Sequence, residues 1–199
     1  MRKLSILLVA ALVTAALATL AEASSRIEKN LKLEPKGRFV LVSDVGSVTL
    51  TGASSSGAKV VITSDRDDLE ALYNINFEEN AGSASVTVRR KDHFGWREHA
   101  SVHFEVEVPS QTQTEIRTGG GSISLSSLRG DSELKTSGGA IEVSGLSGKL
   151  DAKTSGGPIH LQRLTGMRGW ILQEGGLRRP RSTARSAHTP AEGPFVSIA

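Results

Sequence analysis

Thr118-Gly-Gly-Gly-Ser-Ile123, Thr136-Ser-Gly-Gly-Ala-Ile141 and Thr154-Ser-Gly-Gly-Pro-Ile159 recur at a spacing of 18 residues. Six columns are identical in the three copies. They are the threonine (118, 136, 154), two glycines (Gly120, Gly138, Gly156 and Gly121, Gly139, Gly157), an isoleucine (Ile123, Ile141, Ile159), a leucine (Leu128, Leu146, Leu164) and a third glycine (Gly130, Gly148, Gly166). After each glycine pair apolar residues alternate with polar ones, as in Ile123-Ser-Leu125, Ile141-Glu-Val143 and Ile159-His-Leu161. Period-two alternation puts the apolar side chains on one face of a strand.

A second short strand follows the third glycine, in Ser132-Glu-Leu134-Lys and Leu150-Asp-Ala152-Lys. Each unit is therefore two strands and two glycine turns. Helix is excluded, because an interior glycine costs about 1 kcal/mol and one falls roughly every eight residues. A single unit cannot bury its own Ile, Leu and Val face, so units must stack as rungs do in a solenoid. The expected fold is all-β, a β-solenoid or β-helix-like stack of short strands with glycine corners. The glycines serve turns with positive φ or very close backbone approach. A phosphate-cradling loop would need a helix directly afterwards, and none follows.

Working outward, the upstream half reads as β without strict spacing: Phe39 to Val42, Ser47 to Thr51, Lys59 to Ile62, Leu72 to Phe77 and Ser85 to Val88. Ala100 to Val108 alternates most clearly, with Val102, Phe104, Val106 and Val108 facing one way and His103, Glu105 and Glu107 the other. The first residues have the form of a secretory leader: Arg2 and Lys3, an apolar run from Leu4 to Leu20, then Ala21-Glu-Ala23 as a cleavage site. That run is shorter than the ~20 residues needed to span hydrocarbon. Residues 1–23 are expected to be removed, 24–166 to form the repeat domain, and no transmembrane segment to remain. The chain has no cysteine, which excludes disulfides, thiolate metal sites and a lipidated N-terminal cysteine.

After Gly166 the pattern stops. Where a fourth rung should open, the chain reads Leu172-Gln-Glu-Gly-Gly-Leu177, and residues 167–199 hold five arginines (Arg168, Arg178, Arg179, Arg181, Arg185) against Glu174 and Glu192. Their composition is that of an irregular Arg/Pro-rich tail without a fold. Two readings stand: a basic segment that meets an anionic surface by charge, or a reading frame slipped near residue 166. Either leaves an open sheet edge, through which self-association is expected.

Candidate chemistry is sparse. His99, His103, Glu105 and Glu107 share one strand face and could offer metal ligands. Alternate strand residues sit about 6.6 Å apart, however, and a solvated outer face is the expectation. Stacking places Glu133 over Asp151, two carboxylates that could share a proton in a glycan-cleaving site. Lys135 and Lys153 lie two residues along and make a surface charge ladder the preferred reading, with no arginine or third acid in register. The corners lack the aspartates of calcium-binding repeats, and no serine has a G-x-S-x-G context. Phe94 and Trp96, in the polar stretch Lys91 to His99, are candidate partner contacts or lids over the sheet end.

Gly46-Ser-Val-Thr-Leu-Thr-Gly52, the Val-x-Phe-x-Val-x-Val-Pro strand ending at Pro109, and the tandem T-S-G-G-x-I-x-[LV]-x-x-L-x-G rungs together resemble the bacterial DUF4097 adhesin domain over residues 38 to 166. The resemblance implies a β-helix-like fold and an envelope or surface setting. The expected protein is exported to the periplasm, cell surface or medium. It is a non-enzymatic, adhesin-like module without cofactor, contacting an envelope glycan or another surface macromolecule and no specific nucleic acid. The alternative is a carbohydrate-active β-helix enzyme.

Overall fold

The computed structural model of the protein describes residues 25–91, 100–166, 169–175 and 196–197. The leader, Phe94, Trp96 and His99 lie outside the described residues. The strands are β1 (Ser25–Leu31), β2 (Arg38–Ser43), β3 (Ser47–Ala53), β4 (Ala58–Ser64), β5 (Tyr73–Asn80), β6 (Ser83–Arg90), β7 (Val102–Pro109) and β8 (Gln113–Thr118). They continue with β9 (Ile123–Ser126), β10 (Ser132–Thr136), β11 (Ile141–Ser144), β12 (Lys149–Thr154), β13 (Ile159–Gln162), β14 (Gly169–Glu174) and β15 (Val196–Ser197). One four-residue helix, α1 (Leu69–Leu72), precedes β5. The fold is all-β in two mixed sheets. An eight-stranded sheet runs β1-β4-β7-β3-β9-β11-β13-β15 and a seven-stranded sheet runs β14-β12-β10-β8-β2-β6-β5.

The 18-residue period maps directly onto these sheets. The strand before each glycine corner (β8, β10, β12) joins the seven-stranded sheet and the strand after it (β9, β11, β13) joins the eight-stranded one, so each corner crosses between sheets. Neighbouring copies pair parallel and in register: Ile141 lies between Ile123 and Ile159, Val143 between Leu125 and Leu161, and Leu134 between Ile116 and Ala152. These nine side chains, with Leu128 and Leu146, are buried in one hydrophobic cluster fed by both sheets, and Leu164 packs against it half-buried. Fully burying such an aliphatic side chain is worth about 1.5–3 kcal/mol.

Two further strand–corner–strand units lack the repeat's spacing. In β2–β3, Ser43 takes the threonine column beside Thr118 and Val48 the isoleucine column beside Ile123. In β6–β7, Val88 lies beside Ser43 and Phe104 beside Val48. More residues separate β6 from β7 than β2 from β3. Chain order and spatial order differ: β2–β3, first in sequence, sits between β6–β7 and β8–β9.

Antiparallel strands finish the end beyond β6–β7. β4 pairs with β7, β1 with β4, and β5 with β6, and Leu69, Leu72 and Tyr73 are buried there. The strand expected from Leu72 to Phe77 thus begins one residue later. Leu72 closes α1, a turn that Asp68 initiates by accepting the Ala71 and Leu72 N–H groups at its carbonyl. At the other end, the expectation of irregular chain from 167 onward fails for Gly169–Glu174. This segment is β14, parallel to β12, with Lys149 opposite Gly169 and Thr154 opposite Glu174. Its offset from β12 is larger than the 18-residue period, so the repeat pattern does not reveal it, although Trp170-Ile-Leu172 has the composition of a strand. β15 pairs antiparallel with β13.

The threonine column has a role the sequence did not assign. Thr136 donates its hydroxyl to the Gly121 carbonyl of the preceding rung at 2.8 Å, and Thr154 donates to the Gly139 carbonyl at 2.7 Å. The same oxygens accept the N–H groups of their own corners, Gly138 and Gly139 at 3.3 and 3.4 Å, Gly156 and Gly157 at 3.3 and 3.2 Å. Thr136 and Thr154 therefore each close their own corner and tie it to the preceding one. Thr136→Val keeps the shape and leaves a buried carbonyl and two N–H groups without that partner. Chemical denaturation of this variant is expected to show a loss of about 2 kcal/mol.

Candidate functional site

The outward columns of the seven-stranded sheet carry the densest chemistry. Glu115, Glu133 and Asp151 form one column, and Arg117, Lys135 and Lys153 form the next, each residue beside its counterpart on the neighbouring strand. The expected pairing of Glu133 with Asp151 and of Lys135 with Lys153 is present. The expectation that no third acid or arginine joins them is wrong. β8 is in register and supplies both Glu115 and Arg117, one period upstream of Glu133 and Lys135. It precedes the first glycine corner, so no repeated motif marks it.

Acids and bases interlock along the strands and across them. Arg117 reaches Glu115 at 2.9 Å and Glu133 at 3.0 Å, Lys135 pairs with Glu133, Arg38 with Glu115, and Lys153 stands 3.5 Å from Asp151. The hydrogen bond from Lys135, reinforced by its charge and by Arg117, holds the Glu133 carboxyl below the usual carboxylate range against the opposing effect of burial. A glycosidase general acid requires the opposite displacement, a raised value. Asp151 is less satisfied: its Oδ1 is buried and without a hydrogen-bond partner.

An open groove of about 430 Å³ crosses the beginnings of β8, β10, β12 and β14, at right angles to the strands. Its walls include the three column acids, together with Arg38, Asp131 and Lys149, and it ends at Trp170 and Ile171. The Lys149 N–H donates to Asp131 Oδ1 at 2.9 Å, a side-chain bond that ties one rung to the next at the groove wall. A second concavity of about 410 Å³ lies at the ends of β10, β12 and β14, lined by Lys135, Lys153 and the hydroxyl-bearing corners Thr136-Ser137 and Thr154-Ser155. The sheet face thus has an acidic margin and a basic one.

The outer face of the eight-stranded sheet differs. Ser47 Oγ lies 2.8 Å from His103 Nδ1, and His103 Nε2 is 4.0 Å from Glu105. Glu107 faces Lys59 across β4 and β7. Among the described residues no three His, Cys, Asp or Glu side chains converge as a metal site. His103, Glu105 and Glu107 point outward in line, spread along the strand. The repeat glycines lie at the corners, where Gly121, Gly139 and Gly157 back directly onto the backbone of the preceding rung. Among the described residues no helix is long and apolar enough to cross a membrane.

No protein-family model matches the chain, and no curated protein matches its sequence. Solved structures overlap it loosely. A "putative cell adhesion protein" from Clostridium sporogenes is 8% identical with a TM-score of 0.41, over 76% of this chain and 99% of that one. A "putative lipid binding protein" from Parabacteroides distasonis is 11% identical with a TM-score of 0.38, over 77% and 79%. A "putative adhesin" from Bacteroides fragilis is 10% identical with a TM-score of 0.32, over 75% and 96%. Overlap this loose fixes neither a ligand nor an activity.

Proposed function

We propose that the chain is an exported, non-enzymatic binding module of the DUF4097 adhesin type, wound as a β-solenoid, which holds an extended envelope or surface glycan across its rungs. The groove over β8, β10, β12 and β14 carries the reading. A polymer laid along it meets one column carboxylate on each of β8, β10 and β12, at the strand spacing of about 4.8 Å, and then Ile171 on β14; the groove is open at the surface as an elongated ligand requires. Glu115, Glu133 and Asp151 all line it and present carboxylate acceptors suited to sugar hydroxyls. The solenoid reading is supported by the in-register succession of two-strand rungs. The leader-like first residues support export.

The test is retention of the mature full-length chain on immobilised envelope polysaccharide. The Glu133→Gln, Asp151→Asn double variant removes two charged acceptors, each worth about 1.5–3 kcal/mol when hydrogen-bonded. It is expected to bind at least tenfold more weakly while keeping its thermal unfolding profile. Absence of retention, or retention unchanged in the double variant, would refute the groove. Cleavage of the polysaccharide by the purified chain would refute the non-enzymatic reading.

A further inference from the structure

The two ends of the stack are finished differently. At one end antiparallel strands β1, β4 and β5 and helix α1 cover the last rung. At the other, β14 is the terminal strand of the seven-stranded sheet, and among the described residues no strand pairs with its outer edge. The large hydrophobic side chains left exposed among the described residues, Trp170 (41%) and Ile171 (56%), both lie on this strand. They lie on opposite faces, because Trp170 continues the inward column of Leu150 and Ile171 the outward column of Asp151.

We infer that a second copy of this chain pairs with β14, strand against strand, antiparallel about a two-fold axis at Ile171. Antiparallel pairing keeps directly opposed side chains on the same face. Only registers that align outward with outward residues therefore continue the sheet without inverting the partner. Centring the axis on Ile171 is such a register. Ile171 then meets its symmetry mate on the outer face, Trp170 lies opposite the partner copy's Leu172 on the inner face, and Gly169 lies opposite Gln173. Both exposed side chains are covered by one operation, and no charged residue is opposed to a like charge among the paired positions 169–173. An interface that uses the same patch twice closes on itself. At the far end the terminal strands β1 and β5 carry charged side chains (Arg26, Glu28 and Lys29; Glu78 and Glu79) that discourage edge pairing, so the assembly stops at two chains instead of growing into a fibre.

One strand edge with two anchoring side chains per copy buries less than the 1,200–2,000 Å² of a standard stable interface. The dimer is therefore weak, with dissociation in the micromolar range or above. Sedimentation velocity of the mature full-length chain is expected to show reversible, concentration-dependent dimer. Ile171→Lys sets two ammonium groups against each other at the axis and should weaken dimerisation at least tenfold, as should Ile171→Glu. An equimolar mixture of the two variants should form heterodimer, because position 171 faces position 171. That recovery separates this register from any loss of folding. A chain that remains monomeric at all concentrations, a dimer indifferent to either charge, or a mixture with no recovery would each overturn the inference.

Discussion

Gly139→Ala is expected to destabilise the protein by about 3 kcal/mol or more, whereas Gly120→Ala, also in a glycine column of the repeat, should change stability by less than about 1 kcal/mol. The difference lies in what a methyl group would meet. A Cβ on Gly139 would land on the carbonyl of Gly121 in the rung below, closer than real Cβ contacts allow, and the obstacle is backbone that cannot swing aside. A Cβ on Gly120 has nothing within 4 Å. Neither residue has a positive φ, so neither is glycine for conformational freedom; the requirement at 139 is close stacking alone. For a domain of this size a loss of about 3 kcal/mol lowers the melting temperature by roughly 10 °C, which calorimetry of the two variants resolves. Equal losses at both sites would mean that the rungs do not approach as closely as the structure places them.

Ile141→Ala should rank beside it, at about 3–4 kcal/mol. Ile141 is fully buried and lies between Ile123 and Ile159 in the central rung of the repeat, so truncation opens a cavity bounded by residues that neighbouring rungs hold in place. A site that cannot collapse lies towards the upper part of the range for such truncations. Ile141→Val should lose only about 1 kcal/mol. Denaturant midpoints for the pair, compared at constant slope, check both the size of the effect and its origin in packing.

The repeat was readable because two requirements imposed on every rung coincide in sequence. The isoleucine column must be apolar to fill the interior, and Gly121, Gly139 and Gly157 must lack a side chain to let the corners stack. Both recur every 18 residues, and together they announce strand, corner and stack. The unrepeated rungs β2–β3 and β6–β7 were legible as strands through alternation but not as rungs, since Ser43 and Val88 stand where the repeat has threonine. Their placement depends on pairing across distant parts of the chain, which no local signal encodes. β14 was missed because its offset from β12 departs from the period. Glu133 and Asp151 were visible as a stacked pair once the period was known. Glu115, Arg117 and Arg38 were not, because β8 and β2 lie upstream of the first repeated corner and join the ladder only through the sheet.

The position of β2–β3 between two units that follow it in sequence bears on how the chain assembles as it emerges from the ribosome. Residues 38–53 are made before the other rungs, yet their two neighbours in the sheets both arrive later, one ending at Pro109 and the other at Ser126. Phe39, Leu41, Val48 and Leu50, all buried in the finished molecule, have no flanking rung to cover them until then. Vectorial, rung-by-rung winding from the N-terminus is therefore ruled out by topology. The nascent polypeptide must either stay extended or collapse provisionally until more than half its length is available.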